Sequence, residues 1–279
     1  GFGCSVPAIL STRRIETRSD RLVTIAVLPM MSCAGRLPIY MMFVSALFPS
    51  RLQAPVLFGI YASGVLLALC CARLLKNTLF KAPQRDSLHH MKRLRLPSLR
   101  KVGILMWSRA FMYVRKAGTF ILGASIILWF LNTYPRPEED TAPTNAAAME
   151  HSYAGQIGHW MEPVTQVAGF DWKINSALVG AFAAKEIFVT QMGILYAVED
   201  GNSAPAAQQT LNARLKASYT PLQGISIMIF CLIALPCIGT VTVAKREAGT
   251  WWFALAQFGG LTLLGFATAT LIYQAGLLL

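Results

Sequence analysis

Apolar and polar positions along this chain come in blocks. Apolar runs recur at 22–48, 55–75, 111–131, 174–198, 221–244 and 251–279. About 20 such residues cross a bilayer as a helix. Each run therefore predicts a membrane-spanning helix, and the polar blocks between them predict loops. Residues 1–12 read as the end of a further span that begins before the chain does. The pattern predicts an all-α polytopic bundle.

Composition agrees. Hydrophobic residues make up 54% of the chain and charged residues 14%, against about 25% charged in soluble domains, and mean hydropathy is +0.48. No charged leader runs into an apolar stretch, so the start does not read as a signal peptide.

The net charge of +12 is unevenly placed. Residues 73–116 hold twelve Lys and Arg against one acid, Asp86. Flanked by spans, this block reads as a cytoplasmic loop under the positive-inside rule rather than a nucleic-acid site. Within it, Trp107, Phe111 and Val114 fall at helical spacing beside Arg109, Arg115 and Lys116. That predicts a helix lying on an anionic leaflet before the next span. Residues 135–172 carry six acids and one Arg, and read as a connector on the far side. Arg13, Arg14, Arg18 and Arg21 place 13–21 inside. Simple alternation would then put Lys245-Arg246 outside, against their charge.

Breaks within the spans resolve that conflict. Pro29-Met30-Met31-Ser32-Cys33-Ala34-Gly35 and Leu235-Pro236-Cys237-Ile238-Gly239 each place Cys-x-Gly shortly after Pro inside an apolar run. Gly and Pro loosen a helix, and a broken membrane helix turns freed carbonyls toward a cavity. The pieces upstream, Gly1-Phe2-Gly3-Cys4-Ser5-Val6-Pro7 and 180–186, are also irregular. Corresponding interrupted segments in two halves predict inverted repeats with a binding site between them. The span through Cys237 then runs opposite to that through Cys33, Lys245-Arg246 falls inside, and part of 150–198 must be re-entrant or contain an extra crossing. The domain reading is a first repeat with its following span (1–75), a basic loop with an amphipathic helix (76–116), and a third span, acidic loop and second repeat (117–279).

A thiol beside unwound backbone suits a soft or borderline metal ion. Cysteine and glycine also serve as ordinary packing residues between membrane helices. Lys185-Glu186 is the sharper signal, because a charge at mid-bilayer costs about 2.5–3.5 kcal/mol on insertion scales. Adjacent helical residues point about 100° apart. Glu186 would face the pathway while Lys185 pairs elsewhere. A re-entrant hairpin with both groups near water is the structural alternative.

Other chemistries are disfavoured. Cys70, Cys71 and Cys231 join the three gate thiols in or beside spans, which argues against a disulfide framework. The four histidines all fall in loops, so a buried His-rich zinc or non-haem iron centre is not expected. His151 and His159 with nearby acids would at most catch metal at an entrance. Gly180 to Lys185 lacks the Gly-Lys-Ser/Thr ending of a P-loop.

The motifs, taken in order, resemble those of the bacterial ferrous iron transporter B family. Gly1–Pro7 with Thr12-Arg13 and Asp20-Arg21-Leu22 is similar to its first gate motif, and Pro29 to Pro38 continues the likeness. Leu96-Pro97-Ser98-Leu99 before Lys116-Ala117-Gly118 is similar to its cytoplasmic loop. Gly169-Phe170-Asp171-Trp172, Ala183-Ala184-Lys185-Glu186 and Pro236-Cys237 with Arg246-Glu247 resemble its second gate. The resemblance implies a permease domain for Fe²⁺ in the bacterial inner membrane, not an enzyme. It implies Cys4, Cys33, Cys237 and Glu186 as ligands along the path, with Met30 and Met31 as secondary soft contacts. It holds no resident cofactor in these residues. GTP and Mg²⁺ would enter through an N-terminal G domain outside this chain. The lipid bilayer, a small cytoplasmic accessory protein and a homo-oligomer are the further partners, and nucleic acid is not one. Gate sequences are also reminiscent of nucleoside carriers, so an organic-solute transporter is the alternative.

Overall fold

A computed structural model describes residues 1–79, 98–135, 150–196 and 204–278. Those residues form α-helices joined by short 3₁₀ turns, with no strand among them. The bundle is all-α, as the apolar blocks predict.

The first broken span comprises α2 (Arg18–Val27), a 3₁₀ turn at Leu28–Met30, an extended stretch through Cys33, a second 3₁₀ turn at Ala34–Arg36, and α3 (Leu37–Leu47). Pro29 and Pro38 each sit in the first turn of their element, where a missing N–H costs nothing. Ahead of α2 lies the half-length α1 (Ser5–Ser11). After α3 comes the long α4 (Ser50–Thr78).

The second half repeats this plan. Helix α7 (Trp172–Ala183) stops at extended Ala184, and α8 (Lys185–Tyr196) starts at once. Helix α10 (Pro221–Ile233) breaks at 234–237, where Leu235 takes a left-handed φ of 52°, and α11 (Ile238–Ala248) resumes. The long α12 (Trp251–Leu278) follows. Between the halves lie α5 (Leu99–Thr133) and α6 (Tyr153–Thr165), and α9 (Ala204–Ser218) joins α8 to α10.

Backbone and packing show that α1 to α4 match α8 and α10 to α12. Cys4 has φ −152°, ψ 134°, and Ala184 has φ −149°, ψ 133°. Cys33 and Cys237 are both extended N-caps. Helix α1 packs on α11, and α8 packs on α3 and the turn before it. Each broken span leans on the long helix that follows, α2 on α4 and α10 on α12.

The two halves run in opposite directions. Glu247 at the end of α11 is clamped by Arg13 and Arg21, at 2.5 Å from a nitrogen of each. Lys76 at the end of α4 pairs with Asp20 at 2.9 Å. These contacts define a basic end. The Glu247 hydrogen bond and charge hold the Arg13 guanidinium above its ordinary pKa. At the opposite end, Gln274 of α12 donates to the Val167 carbonyl at 2.8 Å. There too, the Tyr219 hydroxyl bonds Asp171 at 2.9 Å and receives the Tyr196 hydroxyl at 3.0 Å. Burial pushes the Asp171 carboxyl up, opposed by the Ile174 N–H and the Tyr219 hydroxyl.

That latch corrects one expectation. The described part of the 174–198 run, residues 174–196, does not cross as a span. Asp171 at the start of α7 and Tyr196 at the end of α8 meet through Tyr219, so α7 and α8 form a re-entrant hairpin with its tip at Ala184. The inverted repeat allows this. Among the described residues, four segments are long and apolar enough to cross a membrane: Arg18–Leu47, Ser50–Thr78, Pro221–Ala248 and Trp251–Leu278. They match four of the six predicted. The predicted run at 111–131 lies inside α5. That helix is continuous over 35 residues, about 52 Å at 1.5 Å per residue. The amphipathic Trp107 region and the following apolar run are therefore one element. The far-side connector also contains a helix, α6, which packs on α7.

In a bilayer, helices associate through close packing rather than hydrophobic exclusion, and small residues mark the contacts. Gly265 of α12 lies against Ala234 at the second break. Gly64 of α4 lies against Leu232 and the Met30 carbonyl at the first. Buried Tyr40, Phe43, Phe188, Ile227 and Met228 fill the space between α3, α8 and α10.

Candidate gate between the repeats

Cys4 is the N-cap of α1, and its neighbours on either side touch both breaks. Gly3 accepts a hydrogen bond at its carbonyl from the Ala34 N–H at 3.0 Å. The Val6 side chain lies 3.7 Å from where a Cβ on Gly239 would stand. Cys4 thus sits between the Cys33 loop and the Cys237 loop, and the three thiols arise from three adjoining segments. All three are partly exposed and none is in a disulfide. The Cys237 sulfur is 3.2 Å from the Thr240 hydroxyl.

Helix α8 brings Lys185 and Glu186 to the same region and separates them. Lys185 is 6% exposed, and its ammonium nitrogen donates to the Cys231 and Ala234 carbonyls, both at 3.2 Å. Cys231 lies in the last turn of α10 and Ala234 is its C-cap, and the break leaves such carbonyls without helical partners. Glu186 is exposed and points at the first break. A Cβ on Gly35 would lie 2.7 Å from its Oε1. Gly239 meets Val6 in the matching place. The two Cys-x-Gly turns thus each receive a residue of the opposite repeat, one a carboxylate and the other apolar.

Arg36 follows Gly35 and is 2% exposed. It donates to the Met31 carbonyl at 2.9 Å. Together with Cys33 and Cys237, it lies near enough to act electrostatically on Lys185. Gln257 of α12 donates to the Ile25 and Ala26 carbonyls at 2.7 and 3.3 Å, in the last turn of α2. The sequence reading missed both residues. Arg36, an ionisable group inside an apolar run, gave the signal that Lys185 gave; Gln257 gave none beyond a polar residue in a span.

Of the two methionines, Met30 is 1% exposed in the apolar core, while Met31 is partly buried with its Cβ beside Gly1. Cys231 is buried, and Cys70 and Cys71 lie on α4 away from the breaks. At the far end, His159 sits between Glu150 and Glu162, which approach opposite ring nitrogens at 3.5 and 3.3 Å. No three His, Cys, Asp or Glu side chains among the described residues form a ready metal cage. A cleft between Asp20, Thr24, Arg73 and Lys76 lies at the basic end, apart from the thiols.

Known proteins match this chain along its length. The family described as "Nucleoside recognition" matches residues 114–251. That described as "Ferrous iron transport protein B C terminus" matches residues 57–109. An Fe(2+) transport protein A/Fe(2+) transporter FeoB fusion protein of Porphyromonas gingivalis is 36% identical, over all of this chain and 37% of that protein. The Fe(2+) transporter FeoB of Campylobacter jejuni is 37% identical, over 92% of this chain and 42% of its own. That of Methanocaldococcus jannaschii is 36% identical, over all of this chain and 41% of its own. The chain spans less than half the length of these relatives, and no solved structure matches it. With four segments among the described residues long and apolar enough to cross a membrane, two Cys-x-Gly breaks and these matches, the chain belongs to the ferrous iron transport protein B family, as part of its C-terminal membrane region.

Proposed function

We propose that this chain is the permease part of a ferrous iron transporter, and that Fe²⁺ passes between the two repeats at the paired Cys-x-Gly turns. The carrying observation is the placement of the Glu186 carboxylate on Gly35, beside Cys33, within a pair of oppositely directed repeats. Cys4, Cys33 and Cys237 supply soft sulfur, Glu186 supplies hard oxygen, and Met31 a secondary thioether. Ferrous iron is borderline in softness and accepts both. An ion in transit must also leave, so separate weak sites suit passage better than a closed cage.

The basic end faces the cytoplasm of a bacterial inner membrane, by the charge of Arg13, Arg14, Arg18, Arg21, Lys245 and Arg246. A G domain in the rest of the protein supplies GTP chemistry. The fusion carried by the Porphyromonas relative supports a small accessory partner at the same end. Assembly into a homo-oligomer belongs to the same reading.

Uptake of labelled Fe²⁺ by cells making the full-length protein tests this. Glu186→Gln keeps size and removes charge. It should insert at wild-type abundance and lose most uptake. Full uptake by that variant would remove Glu186 from the path. The "Nucleoside recognition" match favours one rival, an organic solute. Asn175 donates to the Gly158 carbonyl and the Thr165 hydroxyl, and Gln191 donates to Asn132, so a ribose would have to be met by their amide oxygens and the Ser176 hydroxyl. Competition by nucleosides, but not by Mn²⁺ or Zn²⁺, would favour that rival.

A further inference from the structure

A broken membrane helix exposes last-turn carbonyls, and such carbonyls, pointed into a pathway, are hard-cation sites. Both breaks here have last-turn carbonyls already occupied. At the second, Lys185 donates to the Cys231 and Ala234 carbonyls, each at 3.2 Å. At the first, Gln257 donates to the Ile25 and Ala26 carbonyls at 2.7 and 3.3 Å. Arg36 donates to the Met31 carbonyl, also at the first break. All three side chains are buried, at 6%, 7% and 2% exposure. They come from three different elements, α8, α12 and the turn before α3, yet serve the same purpose.

We propose that Lys185 and Gln257 determine cation selectivity, by keeping carbonyl oxygen away from the passing ion. Calcium and other hard cations need six or more oxygens. The donors withhold backbone oxygens from such an ion, against the one unpartnered amide oxygen that Gln257 itself carries. A borderline ion still finds the thiols and one carboxylate. Arg36 strengthens the exclusion, because its guanidinium stays charged and donates without accepting. The inference rests on the permease reading above, and concerns which ions pass rather than whether any do.

The test is the ratio of Ca²⁺ to Fe²⁺ uptake by the full-length protein in proteoliposomes. Lys185→Met and Gln257→Met keep bulk and remove the donors. An unpaired buried carbonyl is costly to leave empty, and its free energy corresponds to about fivefold or more in relative affinity. Either variant should therefore raise the Ca²⁺/Fe²⁺ ratio about fivefold or more. A purely structural role would lower both fluxes together and leave the ratio unmoved. If Lys185→Met does not reach the membrane, Gln257→Met alone decides. A wild-type ratio in every variant that inserts would overturn the inference. If the wild type carries no Fe²⁺ while a variant admits Ca²⁺, the iron reading fails and the masking stands.

Discussion

At the scale of single residues, the breaks depend on how closely backbone can approach. A Cβ on Gly265 would stand 2.7 Å from the Ala234 Cβ and 3.1 Å from its backbone nitrogen. Neither can rotate away. Gly265→Ala should thus cost about 1–3 kcal/mol by overpacking, seen as a lower unfolding midpoint in detergent. Gly260, on the same helix, has nothing within 4 Å. There the same change should be neutral or stabilising, since alanine favours helix by up to about 1 kcal/mol. Equal midpoints for the two variants would show that the Ala234 contact yields freely. Sequence reading reached part of this scale. The 100° between Lys185 and Glu186 foretold that they part company. Their partners did not follow, because the carbonyls that receive Lys185 lie 46 and 49 residues further on, and only the fold brings them there.

At the scale of elements, the breaks were legible because Pro and Gly interrupt apolar runs, and the inverted repeat was legible because Cys-x-Gly recurs. Length misled at 174–198: the described part of the run, 174–196, folds as two half-helices, since Ala184 is extended and Tyr219 ties both ends together. Helix α6 was hidden by the acids and proline around it, although Ser152 caps it by accepting from the Gly155 N–H. The clamp between repeats also belongs to this scale. The Glu247 side chain is 2% exposed, while Arg13 is 51% and Arg21 28% exposed. Glu247→Ala should thus destabilise more than Arg13→Ala, because Arg21 still holds the carboxylate when Arg13 is gone. A double-mutant cycle on Arg13 and Glu247 should show coupling, the double variant losing less than the sum of the two single losses. Strictly additive losses would mean that the pair does not tie the repeats together.

At the scale of the whole molecule, inversion reconciles charge with topology. Arg13, Arg21 and Glu247 meet at one end, and Lys76 joins Asp20 there. Arg14 and Lys245 belong to the same ends of α1 and α11. Glu150, Glu162 and Asp171 gather with α6 and the start of α7 at the other. Had both broken spans run the same way, Lys245 and Arg246 would face away from the other arginines. Each Lys or Arg near an anionic leaflet is favoured by about 1 kcal/mol, so under the proposed function the clustered arginines would lie on the cytoplasmic side. Arg14 and Glu150 are exposed at opposite ends and report orientation directly. In intact cells making the full-length protein, a membrane-impermeant maleimide should label Glu150→Cys above the wild-type background. Arg14→Cys should be labelled only after the membrane is opened. The reverse pattern would turn the molecule over and place the Glu247 clamp at the entrance of the path instead of its exit.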